Sequence, residues 1–249
     1  MKIFILDPRA DPEIFPNPEF ALDDPNGLLA AGGDLSPVRI VAAYRQGIFP
    51  WYNPGEPILW WSPDPRAVLY PNHLKISRSL RKTLNKQLFR VTLDSAFGQV
   101  MRQCASPREG QQGTWITPEI LNAYSNLHTM GIAHSVECWM GEQLVGGLYG
   151  LALGKVFFGE SMFSKATDAS KVALVYLVAQ LKHWGYELID CQVATAHLLS
   201  LGAELIPRTQ FLGELLRLCA IGGQPQRWHF DPDLDPIGPN SPLRKTSAP

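Results

Sequence analysis

Three polar side chains interrupt strand-like, otherwise apolar segments: Asp190 and Gln192 in ELIDCQV, and Glu160 between VFFG and SMF. A two-residue strand period puts Asp190 and Gln192 on one face and Cys191 on the other. A carboxylate beside an amide near a strand end can attract an incoming ammonium or amine and orient it. The same pair can equally be satisfied by neighbouring backbone, and the residues alone leave both readings open. Glu160 carries a charge into an apolar run, where burial demands a partner. It is either a hydrogen-bond anchor or part of a polar pocket floor.

Other chemistries find less support. The six histidines show no HExxH or other paired ligand spacing, so no metal is expected. Neither a GxxxxGK(S/T) phosphate loop nor a GxSxG elbow occurs. Cys191 has no evident base partner and faces away from Asp190, which argues against a cysteine nucleophile. The glycines of GGLYG and LALG lie in strand-like sequence and read as bulges or close backbone approaches.

The elements that must position these residues follow from the pattern. Ile3 to Leu6 suits a short strand. Ser36-Pro37 supplies an N-cap and a first-turn proline for a helix over Val38 to Gln46, ended by Gly47. Next, IFPWYNPGEPILWWSPDP carries Pro50, Pro54, Pro57, Pro63 and Pro65, which preclude a long regular element. Its tryptophans Trp51, Trp60 and Trp61 suit aromatic packing of an irregular lobe. From Arg66 onward strand and helix alternate: AVLY, a helix over Ser77 to Leu84, FRVTL, and a helix from Ala96 to Cys104. Thr117-Pro118 caps a helix running to His128. HSVECWM, QLVGGLYGLALG and VFFGESMF then read as an antiparallel meander turning at Gly141. Asp168 to Trp184 forms an amphipathic to buried helix, ELIDCQV a strand, His197 to Leu201 a short helix, and Pro207 to Leu218 the last helix. The Pro- and Asp-rich end from Asp231 is expected to be a loose tail.

A chain of 249 residues with 45% hydrophobic and 18% charged content can bury a sizeable core. Cys104, Cys138, Cys191 and Cys219 form no CxxC pair, so reduced thiols and a cytoplasmic location are expected. The start, MKIFILDPRADPE, lacks the apolar core of a signal peptide. The apolar run from Val172 to Ala179 is far shorter than the roughly 20 residues of a membrane helix.

The formal net charge of −1 argues against a surface coated for nucleic acid, yet it is a cancellation. Seven acids stand against two bases between Met1 and Asp34, whereas Asn72 to Arg90 holds six bases and no acid. Within that segment Lys75, Arg78, Arg81, Lys82 and Lys86 are spaced so that much of the charge shares one helical face. Such a face can be a solvated exterior, or it can neutralise phosphates in a salt-dependent way.

Several long strings are more specific than any of these features. PNGLLAAGGDLSP, GIFPWYNPGEPILWWSPDPRAVL, ISRSLRK, GTWIT, LVGGLYG, GESMFS, ASK, LIDCQV and SLGAELIPR follow in order from Pro25 to Arg208. In these strings the chain resembles the bacterial leucyl/phenylalanyl-tRNA–protein transferase family. The resemblance implies an α+β fold with a small N-terminal α/β lobe over residues 1–65. It implies a GNAT-like acyltransferase domain over 66–230, its mixed and mostly antiparallel sheet flanked by helices; 231–249 would be the tail. It also implies an aminoacyltransferase that moves Leu or Phe, and also Met, from aminoacyl-tRNA to the α-amine of a protein with N-terminal Arg or Lys. The product is a degradation signal of the N-degron pathway. No cofactor is needed, because the aminoacyl ester is already activated.

Under that resemblance Asp190 attracts the ammonium or accepts a proton, Gln192 orients the amine or oxyanion, and Glu160 is the pocket-floor acid. Leu148, Phe157, Met162, Leu177, Leu181 and Ile189 are the expected aminoacyl pocket. Trp51 and Trp115 are expected to receive the terminal adenosine by stacking. The segment from Lys75 to Lys86 becomes the tRNA contact, and a monomer is expected. Two alternatives stand beside this reading. A CoA-dependent N-acyltransferase would need a glycine-rich pyrophosphate loop, and SKATDAS ahead of the Asp168 helix has no glycine. A non-catalytic tRNA-binding protein would explain the basic segment but not the acid–amide cluster.

Overall fold

The computed structural model describes residues 3–106, 114–223 and 226–237. Its N-terminal part is a four-stranded sheet in the order β1-β2-β4-β3. The strands are β1 (Phe4–Leu6), β2 (Leu28–Gly32), β3 (Phe49–Pro50) and β4 (Leu59–Trp61), with helix α1 (Pro37–Arg45) between β2 and β3. Ser36 Oγ accepts the Arg39 N–H at 3.4 Å to cap α1, a contact of a type that stabilises a helix by about 1 kcal/mol. Trp60 is fully buried and donates its indole N–H to the Gly32 carbonyl at 2.9 Å. The proline-rich stretch therefore makes only two short strands, welded by aromatic packing.

A seven-stranded mixed sheet in the order β11-β5-β10-β9-β8-β7-β6 forms the larger part. It begins at β5 (Arg66–Leu69), followed by α2 (Arg78–Asn85), β6 (Arg90–Leu93), α3 (Phe97–Cys104) and α4 (Pro118–Thr129). The antiparallel meander comprises β7 (Ala133–Met140), β8 (Gln143–Leu153) and β9 (Val156–Ser164). Then come α5 (Ala169–His183), β10 (Leu188–Gln192), α6 (Ala196–Ser200), β11 (Glu204–Ile206) and α7 (Arg208–Leu218). Strand β10 lies parallel to β9 and antiparallel to β5, and a buried crossover helix, α5, makes the parallel pairing possible. Helices α3 and α4 pack in one apolar cluster and α5 in another, so the sheet is covered on both faces.

The glycines of GGLYG allow this packing. A Cβ on Gly146 would stand 2.5 Å from the Ala169 Cβ, and one on Gly150 would collide with the Phe158 carbonyl oxygen. Besides β3 and β4, two more strands were not read from the sequence. LLAAG lacks alternation because β2 is mostly buried, and the three residues of β11 are too few to show a period. The chain after Asp231 differs from a loose tail over its described length. Asp231 exchanges hydrogen bonds with the buried Gln180 side chain at 2.6 and 2.8 Å, and Ile237 packs against the α5 cluster. Polar pairing to a buried amide fixes what composition alone marks as irregular. Residues 238–249 lie outside the described residues.

Candidate active site

Strand β10 ends in a bulge rather than a regular pleat. Its register against β5 shifts between Asp190 and Gln192, and Gln192 has φ 61°. A non-glycine residue in the left-handed region costs of order 1 kcal/mol or more and persists only when its surroundings hold it. Here Asp190 Oδ1 accepts the Gln192 N–H at 2.8 Å and fixes the turn. The strict two-residue period thus breaks where the polar residues lie, and Asp190, Cys191 and Gln192 all line one cavity.

Asp190 is completely buried and both of its oxygens are engaged by Arg66, from Nε at 2.8 Å and Nη2 at 2.7 Å. The guanidinium also donates to the Gly47 carbonyl at 3.1 Å and lies over the rings of Phe49 and Phe211, 4.8 and 4.6 Å from their centroids. One buried ion pair therefore ties β5, β10, α7 and the chain just before β3 together. Geometry of this bidentate kind is what a buried pair needs to offset its desolvation.

Glu160 on β9 meets three donors from three other elements. Tyr44 of α1 donates to Oε1 at 2.6 Å, Tyr124 of α4 to Oε2 at 3.1 Å, and Gln192 Nε2 to Oε1 at 2.9 Å. Tyr44 and Tyr124 also share a hydrogen bond of 2.6 Å. Burial raises the Glu160 carboxyl to about 7 against the lowering effect of Tyr44, Tyr124 and Gln192, with the nearby Asp190 charge adding to the rise. Both phenols are held well above their ordinary range by burial and by the Glu160 charge. Burial likewise pushes the Cys191 thiol far up, which disfavours the thiolate.

The cavity measures about 1060 Å³. Leu148, Phe157, Met162, Leu177 and Ile189 line its apolar part, whereas Leu181 is fully buried outside the lining, one helical turn beyond Leu177. Leu174 joins the lining unannounced, although its position three residues before Leu177 is the spacing that a helical face predicts. Trp51 and Trp115 line the same cavity. Trp51 is 48% exposed and is held by Trp61, whose indole N–H donates to the Trp51 carbonyl at 2.6 Å. Lys75, Arg78, Arg81, Lys82 and Lys86 are exposed, while Leu80 and Leu84 seat α2 in the core. Thr83 Oγ1 donates to Asp168 Oδ2 at 3.0 Å and anchors this basic helix at the start of α5. Arg66, Tyr44 and Tyr124 were missed because their partners lie 124, 116 and 36 positions away, with no local spacing to signal them.

Comparison with known proteins supplies the class. Residues 68–216 match the family model described as leucyl/phenylalanyl-tRNA protein transferase, and residues 33–64 match that family's N-terminal domain. A leucyl/phenylalanyl-tRNA–protein transferase of Nitrosomonas europaea is 64% identical over 217 residues, spanning 87% of this chain and 92% of that protein. Those of Aromatoleum aromaticum (62% over 214 residues; 86% and 90%) and Methylococcus capsulatus (53% over 228 residues; 92% and 97%) bear the same name. A GCN5-related N-acetyltransferase from Kribbella flavida overlaps the fold loosely, with TM-score 0.34, 12% identity and coverage of 69% and 61%. The class is that of the aminoacyltransferases. Within it, the chain belongs to the leucyl/phenylalanyl-tRNA protein transferase family. No helix among the described residues is long and apolar enough to cross a membrane.

Proposed function

We propose that the chain, acting as a cytoplasmic monomer, transfers Leu, Phe or Met from its tRNA to the α-amine of a protein that begins with Arg or Lys. The observation that carries this reading is a single cavity lined by Trp51 and Trp115, by an apolar set of side chains, and by the hydrogen-bonded Glu160–Gln192 pair. An aminoacyl ester laid along it would have its side chain among Leu148, Phe157, Met162, Leu177 and Ile189. Its terminal adenosine would lie against Trp51 and Trp115, and its carbonyl at the polar cluster. An apolar slot walled by a pliable methionine accepts Leu, Met and Phe and resists β-branched donors by shape. The resulting N-terminal extension would serve as a degradation signal.

Aminolysis of an ester needs a neutral amine and a place for the developing oxyanion. An α-amine titrates near 8, so a useful fraction is neutral without help. Holding amine and ester together supplies much of the acceleration. Gln192, set by its turn, is the group placed to orient the amine or the oxyanion. Asp190, both oxygens engaged, acts as a positioner: it holds Arg66 and the Gln192 backbone and supplies negative potential to the cavity floor. The acids of that floor suit a cationic peptide N-terminus, and the opposite sign on α2 suits tRNA phosphates.

The test is direct. Mixed with Leu-tRNA or Phe-tRNA and an Arg-initiated peptide, the protein should add one Leu or Phe residue by mass spectrometry. An unchanged peptide mass contradicts the reading. Charge reversal at Arg78 and Lys82 should weaken tRNA binding and reduce the slope of log affinity against log salt by about one per contact, measured by filter binding. Leu177→Ala enlarges the apolar slot, and the Leu-to-Phe transfer ratio should fall by about tenfold in a competition assay.

A further inference from the structure

Glu160, Tyr44 and Tyr124 form a closed triangle of hydrogen bonds: 2.6 Å between the phenols, 2.6 Å from Tyr44 to Oε1 and 3.1 Å from Tyr124 to Oε2. Two phenols bring two protons, and the triangle has three edges. With the carboxylate ionised, both phenols donate to it; when Oε2 takes a proton, Tyr124 can donate to Tyr44 instead, so no hydroxyl is orphaned in either state. After its bond to Tyr124, Oε2 retains a lone pair, and Glu160 lines the cavity and is only partly buried. Oε1 already accepts from both Tyr44 and Gln192. Asp190 offers no comparable opening: it is completely buried, with Oδ1 accepting from Arg66 and the Gln192 N–H and Oδ2 from Arg66.

We infer that Glu160 takes the acceptor amine's proton as the peptide bond forms, and that Tyr44 and Tyr124 are positioning residues that make room for that proton. The inference rests on the proposed aminoacyl transfer. The neutral amine attacks the ester carbonyl, and a C–N bond forms as the carbonyl π pair moves to oxygen. The nitrogen, now cationic, passes a proton to Glu160 Oε2. The oxyanion then re-forms the carbonyl, the C–O bond to the terminal ribose breaks, and the departing oxygen recovers the proton from Glu160. Amine and ester become amide and alcohol, and the carboxylate ends as it began. Burial that brings the carboxyl to about 7 suits a group that must both accept and return a proton near neutrality. Both phenols are pushed upward instead, so they remain donors throughout. Because Tyr44 comes from α1, the small N-terminal sheet and its helix contribute a group to the reacting centre.

The experiment measures kcat/KM for an Arg-initiated peptide against pH, at saturating Leu-tRNA, for the wild type, Tyr44→Phe and Tyr124→Phe. Each phenol that donates to the carboxylate lowers its pKa, so removing one should move the acid limb upward by about one pH unit. Transfer should then be about tenfold below wild type near pH 6.5 and converge with it by about pH 8.5, with KM for Leu-tRNA unchanged. Acceptor-amine titration is common to all three proteins and cancels. Superimposed limbs, or one uniform loss at every pH, overturn the inference. Should either variant fold poorly, difference infrared spectroscopy of the wild type and Glu160→Gln reads the carboxyl itself. A protonated-carboxyl band that appears across the same pH range only in the wild type supports the inference; its absence overturns it. Wild-type protein inactive at every pH would instead sink the transfer reading.

Discussion

Arg66→Met should lower the unfolding free energy by about 3–5 kcal/mol in urea titration and abolish aminoacyl transfer. The substitution leaves the Asp190 carboxylate buried without the two bonds of 2.8 and 2.7 Å that offset its desolvation. It also removes the donor to the Gly47 carbonyl and the cation between Phe49 and Phe211. The double variant Arg66→Met/Asp190→Leu should recover most of the lost stability, because a buried pair replaced by apolar side chains is often neutral. It should not recover activity. Without Asp190 nothing accepts the Gln192 N–H, and the left-handed turn that brings the Gln192 amide to Glu160 loses its brace. A single variant as stable as wild type would show that the pair does not hold the sheet together. A double variant with full activity would remove Asp190 from the account.

Glu160→Gln should slow transfer by about 10²- to 10³-fold, the scale of losing a positioned acid–base group. Its effect on stability depends on pH and has a fixed sign. The folded carboxyl titrates near 7, against 4.5 for an ordinary glutamate. Between those values the native state binds the extra proton more tightly than the unfolded chain does. Wild-type stability is therefore greatest below about pH 4.5, as far as this group is concerned, and declines as pH rises through 7. The gap bounds the decline at roughly 3 kcal/mol. In Glu160→Gln this contribution should be flat, so the stability difference between the two proteins should grow in the variant's favour from pH 5 to pH 8. Parallel stability curves would mean that Glu160 is not held in a desolvated position. Stability and activity then trade against one another at one carboxyl, since the burial that raises its pKa also suits it to proton transfer.

Much of this arrangement was legible in the sequence. Ser36-Pro37 and Thr117-Pro118 marked helix starts that the structure confirms by side-chain capping. The alternation of HSVECWM through VFFGESMF gave the meander, and the apolar run after Asp168 gave the buried helix α5. Glu160, Asp190 and Gln192 drew attention because they break apolar strands. What the sequence withheld is pairing across distance. Nothing local distinguishes Arg66, at the head of a short strand, from any exposed arginine, and its burial is decided by Asp190 in another strand. Tyr44 and Tyr124 have rings packed in the core, and only their hydroxyls belong to the cluster. The β10 bulge was hidden for a similar reason. A period of two assumes a regular pleat, whereas the left-handed Gln192 depends on a hydrogen bond that its own N–H donates to the residue two positions back.

The most direct measurement is a structure of the protein with a stable aminoacyl-adenosine whose reactive ester is replaced by an amide. The account predicts the Leu or Phe side chain among Leu148, Phe157, Met162, Leu177 and Ile189, the adenine against Trp51 and Trp115, and the amide carbonyl carbon beside Glu160 and Gln192. An aminoacyl group seated elsewhere, or one whose carbonyl lies far from Glu160 and Gln192, would contradict it.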